Sequence, residues 1–249
     1  MKALITGASS GIGTEFARIF SGMGYDLILV ARREDRLNSL KKELGGNVKI
    51  IVSDLSVADN CTKLFEQIKE DDVDILINNA GFGVFGEFTD TDLEKEISMI
   101  NTNITAVHIL MKKFLMLFKE KNSGYILNVA SSAAFLPGPL LSSYYASKAY
   151  VLRLTQAVGK ELDTHKSKVY VGALCTGPVY TEFNDVAGVK FNIKNLTGKY
   201  VAEYAVKKMF KGKRIIIPGF TIKMGTWFSR FVPSKLLLHI SYNIQKKKS

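Results

Sequence analysis

The sequence predicts an α/β fold, a doubly wound, mostly parallel seven-stranded sheet with helices on both faces. Two observations predict it. Short apolar runs of strand length alternate along the chain with longer amphipathic stretches of helical spacing. The first such run also leads straight into a glycine-rich turn that opens a helix.

The opening run, residues 3–5 (Ala-Leu-Ile), reads as a strand buried on both faces. Gly7, Gly11 and Gly13 follow, in Gly-Ala-Ser-Ser-Gly-Ile-Gly, and Phe16, Ile19 and Phe20 then recur at helical spacing. Glycines at such a turn let backbone approach a pyrophosphate, and the N–H groups of the helix start attract its charge. The spacing Gly-x-x-x-Gly-x-Gly differs from the Gly-x-Gly-x-x-Gly dinucleotide fingerprint but serves the same physics; the alternative is an ordinary tight turn. The second strand, 27–31, ends in Ala31-Arg32-Arg33. A site for NAD(H) usually places a carboxylate there, to hold the ribose 2′-hydroxyl. Asp26 lies at the wrong end of the strand, and Glu34 and Asp35 come too late. An arginine there suits a 2′-phosphate. The reading is NADP(H) in preference to NAD(H), carried by Arg32, with Arg33 read as the start of a solvated helix. Further strands are expected at 48–52, 75–77, 125–129, 169–174 and 214–217, and helices at 33–44, 58–69, 92–119, 144–164 and 201–211. Crossovers should be right-handed.

Ligands of such sheets bind beyond the carboxyl ends of the strands. Polar residues gather there: Asp54 after the third strand, Asn78-Asn79-Ala80-Gly81 after the fourth, Ser131 and Ser132 after the fifth, and Cys175-Thr176-Gly177-Pro178 after the sixth. Each alone is an ordinary turn sequence. Their shared edge argues for a site. Tyr144 and Lys148 stand four residues apart in the helix expected at 144–164, so they share a face. A phenol beside an ammonium should have its pKa drawn down from about 10 toward the working range of a general acid/base. The bland reading of the pair is a helix face with a snorkelling lysine.

The chain has 249 residues, 47% hydrophobic and 23% charged, enough for one sizeable core. We expect one dinucleotide-binding and catalytic domain over 1–218 and a basic, aromatic-rich extension over 219–249. Cys61 and Cys175 have no paired spacing, which fits a reducing, cytoplasmic compartment. No signal peptide is expected, because the first apolar run is the strand itself. His108, His165 and His239 lack ligand spacing, so no metal is expected. The net charge is +11, and no Asp or Glu follows Glu203, whereas 11 Lys and Arg do. Phe220, Trp227, Phe228 and Phe231 are interleaved with them. Two readings stand for this tail: a peripheral contact with anionic lipid, or a segment packed on its own domain or a second subunit. Arg230, Pro233 and Lys235 interrupt any membrane span. Nucleic acid is not expected, since no binding motif accompanies the charge.

The set Thr6-Gly-x-x-x-Gly-x-Gly13, Asn78-Asn-Ala-Gly81, Asn103, Ser131, Tyr144-x-x-x-Lys148 and Gly177-Pro178-x-x-Thr181 resembles, in order and spacing, the classical single-domain type of the short-chain dehydrogenase/reductase family. The resemblance covers residues 1 to about 218 and implies a Rossmann-type fold. It implies an NAD(P)-dependent oxidoreductase that reduces a ketone to a secondary alcohol. Tyr144 would be the acid/base, favoured over the rival Tyr145. Lys148 would depress its pKa and hold the nicotinamide ribose. Ser131, 13 residues before Tyr144, would bond the substrate oxygen in preference to Ser132. Asn103, rather than Asn101, would support a water near the lysine.

For the cofactor, the resemblance implies Gly7, Ser9, Ser10, Gly11, Ile12 and Gly13 at the phosphates. Arg32, Asp54 and Leu55 would lie at the adenosine end, and Asn79, Ala80 and Gly81 along the ribose. Val179 and Thr181 would meet the carboxamide, and Gly177 would also contact the cofactor. Two departures stand out: Thr176 replaces a common proline, and position 10 is Ser rather than a basic residue, which leaves 2′-phosphate selection mainly to Arg32. Phe82, Phe85, Phe135, Tyr180 and Phe183, with Val84, Phe88, Leu136 and Pro137, would line the substrate pocket. They point to an apolar ketone such as a steroid, a bile acid or a long 3-oxoacyl chain, although phenylalanines also simply fill cores. A homodimer or homotetramer through helices 92–119 and 144–164 is implied. The competing readings are a non-catalytic dinucleotide sensor and a membrane-surface binding protein.

Overall fold

The computed structural model describes residues 1–180, 182 and 196–246. Strand β1 (Lys2–Thr6) leads to α1 (Gly11–Gly22), β2 (Asp26–Ala31) to α2 (Glu34–Leu44), β3 (Val48–Val52) to α3 (Ala58–Ile68), and β4 (Ile75–Asn78) to α4 (Leu93–Ile100). A π-helical turn (Asn101–Thr105) joins α4 to α5 (Ala106–Lys121). Strand β5 (Tyr125–Val129), a 3₁₀ turn (Ser132–Phe135), α6 (Ser142–Thr164) and β6 (Tyr170–Leu174) follow. The chain continues through β7 (Val179–Tyr180), β8 (Leu196–Thr197), α7 (Gly198–Met209) and β9 (Ile215–Ile216). It ends in α8 (Phe220–Phe228), a 3₁₀ turn (Ser229–Phe231) and α9 (Ser234–Lys246).

Seven strands form one sheet in the order β3-β2-β1-β4-β5-β6-β9, each paired parallel to its neighbour. This is the Rossmann-type doubly wound arrangement. Strand order reverses between β1 and β4, and the crevice at that switch point lies beyond their carboxyl ends. The short β7 and β8 pair apart from this sheet.

Alternation along the strands builds the two core layers. Ala3 and Ile5 of β1 and Leu27 and Leu29 of β2 point to the layer that holds Phe16 and Phe20 of α1, Leu37 and Leu40 of α2, and Val201 and Ala205 of α7. Leu4, Ile28 and Val30 point to the other layer, with Leu64 of α3, Phe114 and Phe118 of α5, and Leu162 of α6. Both faces of each strand are apolar because both are covered. Fully burying a side chain such as Phe114 stabilises the fold by about 1.5–3 kcal/mol.

The helix expected at 92–119 is continuous from Leu93 to Lys121 but contains a π-helical turn, which joins α4 to α5 and carries Asn103 inward. The helix expected from 144 starts two residues earlier, and the strand expected at 214–217 narrows to Ile215–Ile216.

Candidate active site

The carboxyl ends of β1, β4, β5 and β6 open onto a cavity of about 360 Å³, within the size range of small-molecule and cofactor sites. At one end lies the glycine turn, with Gly7, Ser9, Ser10, Gly11 and Ile12 on the wall. Gly7 has φ +66°, and a Cβ there would fall 2.8 Å from the Ala80 Cα. Gly13 stands behind the turn, where a Cβ would fall 2.3 Å from the Gly7 carbonyl. The turn is stitched to the end of β4. Thr6 Oγ1 accepts the N–H groups of Asn79 and Ala80, both at 3.0 Å, and Asn79 Nδ2 donates to the Thr6 and Gly7 carbonyls at 3.0 and 3.2 Å. Asn79, Ala80 and Gly81 line the cavity, as do Arg32, Asp54 and Leu55.

At the other end β5 runs out into Ser131, which is buried and caps the 3₁₀ turn, its Oγ accepting the Ala133 N–H at 3.1 Å. The Ser131 hydroxyl is hydrogen-bonded to the Tyr144 phenol. Lys148, one turn along α6, is buried, and its Nζ lies 5.8 Å from the centre of the Tyr144 ring. That ammonium donates to the Val129 carbonyl at 2.9 Å. Asn103 is fully buried; its Nδ2 donates to the Phe82 carbonyl at 2.9 Å and to Ser147 Oγ at 3.0 Å, and its Oδ1 accepts the Phe82 N–H at 3.1 Å. The Ser147 hydroxyl in turn donates to the Tyr144 carbonyl at 2.7 Å. The π-helical turn thus locks the loop after β4 to the turn of α6 that carries Tyr144 and Lys148. Asn101 stays within the π-helical turn, accepting from the Thr105 hydroxyl at 3.4 Å.

The model for the family described as short chain dehydrogenase matches residues 1–189. An uncharacterised oxidoreductase of Staphylococcus epidermidis is 31% identical over 89% of this chain and 96% of its own. A 7β-hydroxysteroid dehydrogenase of Mediterraneibacter gnavus is 30% identical over 72% of this chain and 68% of its own. A short-chain dehydrogenase from Sphingobium yanoikuyae, solved in complex with NADPH, superposes with a TM-score of 0.82 at 32% identity, covering 88% of both chains.

The chain belongs to the short-chain dehydrogenase family. It is accordingly an NAD(P)-dependent oxidoreductase.

The donor set fits the dinucleotide that the family implies. Ser10 caps α1 without a side-chain hydrogen bond to it, and Ser10, Gly11 and Ile12 line the cavity, so the N–H groups of the first turn would be available to the phosphates. Asn79 and the glycine turn would hold the ribose and the diphosphate, and Lys148 the second ribose. Gly177 and Val179 line the cavity too, where the nicotinamide would lie. Thr181 and Phe183 lie outside the described residues.

Two expectations are corrected. Lys148 was expected to draw the phenol's pKa down. Instead, burial pushes Tyr144 up to about 12, with the Ser131 hydrogen bond pulling the other way. The ammonium sits over the ring and bonds the Val129 carbonyl, and burial of the phenol outweighs its charge. Burial also draws Lys148 itself down to about 8. At neutral pH the phenol therefore holds its proton and the lysine is mostly charged. The second correction concerns Arg33. It does start α2, as its N-cap, but it is not merely solvated: it lines the cavity, its guanidinium donates to Ser9 Oγ at 3.3 and 3.2 Å, and it pairs with Glu182 at 2.9 Å. Arg32 is the more exposed of the two and stands 4.0 Å from Asp54.

The substrate residues divide. Phe82 lines the cavity. Phe85 is half-buried farther along its loop, and Phe88 is exposed. Phe135 packs against the cluster of Val107, Ala130, Val151 and Leu152, as core. The backbone of Tyr180 forms part of β7. Leu141 and Tyr145 also line the cavity, neither of them anticipated as substrate contacts. Tyr145 is turned to the C-terminal helix, its hydroxyl accepting from Gln245 Nε2, rather than to Lys148. Glu96 was also missed: it is buried and accepts from the hydroxyls of Thr91 at 2.6 Å and Ser143 at 2.7 Å, fixing the start of α6. No spacing rule marks it, because its partners come from two other segments.

Proposed function

We propose that the protein reduces an apolar ketone to a secondary alcohol with NADP(H) in preference to NAD(H). The observation that carries this reading is the meeting of Ser131, Tyr144 and Lys148 in the cavity that also holds the glycine turn. When bound, the dinucleotide supplies the hydride. Ser131 holds the substrate oxygen and stabilises the charge that develops on it. Tyr144, protonated throughout the neutral range, gives its proton to that oxygen. The Lys148 ammonium supplies positive charge beside the phenolate left behind. Asn103 and Ser147 are positioning residues that hold α6 against the loop after β4.

Arg32 and Arg33 at the end of β2, with no carboxylate at that end, support the phosphorylated cofactor. The NADPH complex of the Sphingobium relative points the same way. Phe82, Leu141 and Tyr145 on the wall, and the hydroxysteroid dehydrogenase among the relatives, support a steroid-like or long 3-oxoacyl ketone. The outer faces of α5 and α6, where Met116 and Tyr150 are exposed, are the faces through which a homodimer or homotetramer would form. The test is NADPH oxidation over a panel of ketones. Steady turnover is expected with bulky apolar ketones, faster with NADPH than with NADH. Tight NADPH binding with no turnover of any ketone would leave a dinucleotide sensor instead.

A further inference from the structure

Helix α9 is inverted in polarity. Its inward stripe is Leu237, Ser241 and Gln245, spaced four apart, and the last two are buried although polar. Its outward stripes, Leu236, Ile240 and Ile244 beside Leu238 and Tyr242, are exposed. A surface helix in water shows the opposite arrangement. Helix α8 and the turn after it behave alike. Thr226 is buried, while Phe220, Trp227, Phe228 and Phe231 stand outward. The Trp227 ring lies 4.9 Å from that of Phe228 and 5.0 Å from that of Phe231. Nine of the 19 large apolar side chains exposed among the described residues lie between Phe220 and Ile244. So dense a patch marks an interface rather than scattered surface residues.

Charge decides the partner. Lys223, Arg230 and Lys235 are exposed among these aromatics and aliphatics, and the sequence holds no Asp or Glu after Glu203. We propose that α8, the 3₁₀ turn and α9 form a docking face for an anionic lipid bilayer. The aromatic and aliphatic side chains enter the boundary between headgroups and acyl chains, and the basic residues meet the lipid phosphates. No helix among the described residues is long and apolar enough to cross a membrane, so the contact is peripheral. A second copy of this chain fits less well, because two-fold pairing sets a patch against itself, and this one has basic residues and no acid to meet them. Exposed leucines and isoleucines have no role on a nucleic-acid backbone.

The face is fastened to the cleft. Ile222 packs on Gly177, where an added Cβ would fall 2.7 Å from its Cδ1, and Gln245 bonds Tyr145; Gly177 and Tyr145 both line the cavity. An apolar ketone dissolved in lipid would therefore lie next to the catalytic cavity. That last step rests on the proposed ketone reduction, whereas the docking itself is measured without turnover.

Trp227 is the only tryptophan, so its emission reports on this face alone. The full chain is titrated with vesicles of phosphatidylcholine, pure or mixed with phosphatidylglycerol. A blue shift and co-sedimentation are expected with the mixed vesicles, weaker with the pure ones and weaker again at high salt. The double variant Phe231→Glu/Leu238→Glu, at two exposed positions, should lose about tenfold or more of the vesicle affinity while turning over a water-soluble ketone as before. Emission unmoved by mixed vesicles would overturn the proposal. So would binding that the double variant keeps. A shift that instead follows protein concentration without lipid, with a matching rise in mass, would assign the face to a second copy.

Discussion

Burial acts in opposite senses on the two ionisable groups that face each other across one turn of α6. It raises the Tyr144 phenol to about 12 and lowers the Lys148 ammonium to about 8, so each neutral form is favoured. Ketone reduction needs the phenol protonated and the lysine charged. Its kcat/KM should therefore hold at neutral pH and fall as pH rises through about 8, and a pH–rate profile checks this. Stability should move the other way. Between about 8 and the ordinary 10.5 the unfolded chain binds the extra proton, so this group's contribution to unfolding free energy rises with pH across that window, by about 3 kcal/mol. Urea titrations at a series of pH values measure it, and the rise should be missing in Lys148→Met. Arg32→Ala should weaken NADPH binding about tenfold or more while sparing NADH, read by direct binding of each. At this scale the sequence was informative about which residues meet: Tyr144 and Lys148 follow from helical spacing, and Ser131 from the family resemblance. It did not show the sign of the phenol's shift, since desolvation depends on what the fold closes around the ring. It also understated Arg33, whose partners Ser9 and Glu182 are remote in the chain.

The elements place these residues. Strand periodicity and the glycine turn made the sheet legible, because parallel strands covered on both faces read as plain apolar runs. The π-helical turn at residues 101–105 was not legible: apolar residues continue on either side of it, and the one-residue shift in phase that such a turn makes is small against the scatter of an amphipathic pattern. Yet that turn brings Asn103 to Phe82 and Ser147. At the start of α1, Gly13→Ala would drive a methyl group to 2.3 Å from the Gly7 carbonyl. It should displace the turn and cut NADPH affinity, measured by binding on protein that remains folded by circular dichroism. Far from the cavity, Phe114 is fully buried between α5 and the sheet. Phe114→Ala should cost about 3–5 kcal/mol in urea unfolding and leave the folded enzyme's turnover unchanged.

Over the whole molecule, function is distributed by region. The sheet's carboxyl edge lines the cavity, and the last two helices with the turn between them hold basic residues among exposed aromatics and aliphatics, with no acid. Composition alone disclosed the second region, through a run of basic residues with no acid among them, but left open whether it packs inward or outward. The structure shows both: Gln245 and Ile222 reach the cavity wall while Trp227 and Phe231 face out. Residues 100 positions apart, such as Tyr145 and Gln245, share no local pattern, so their contact could come only from the fold. The most direct test of the account is Tyr144→Phe, assayed for ketone reduction beside its affinity for NADPH. The account predicts turnover lower by about a hundredfold to ten-thousandfold with NADPH binding retained. Turnover at the wild-type rate without that hydroxyl would contradict it.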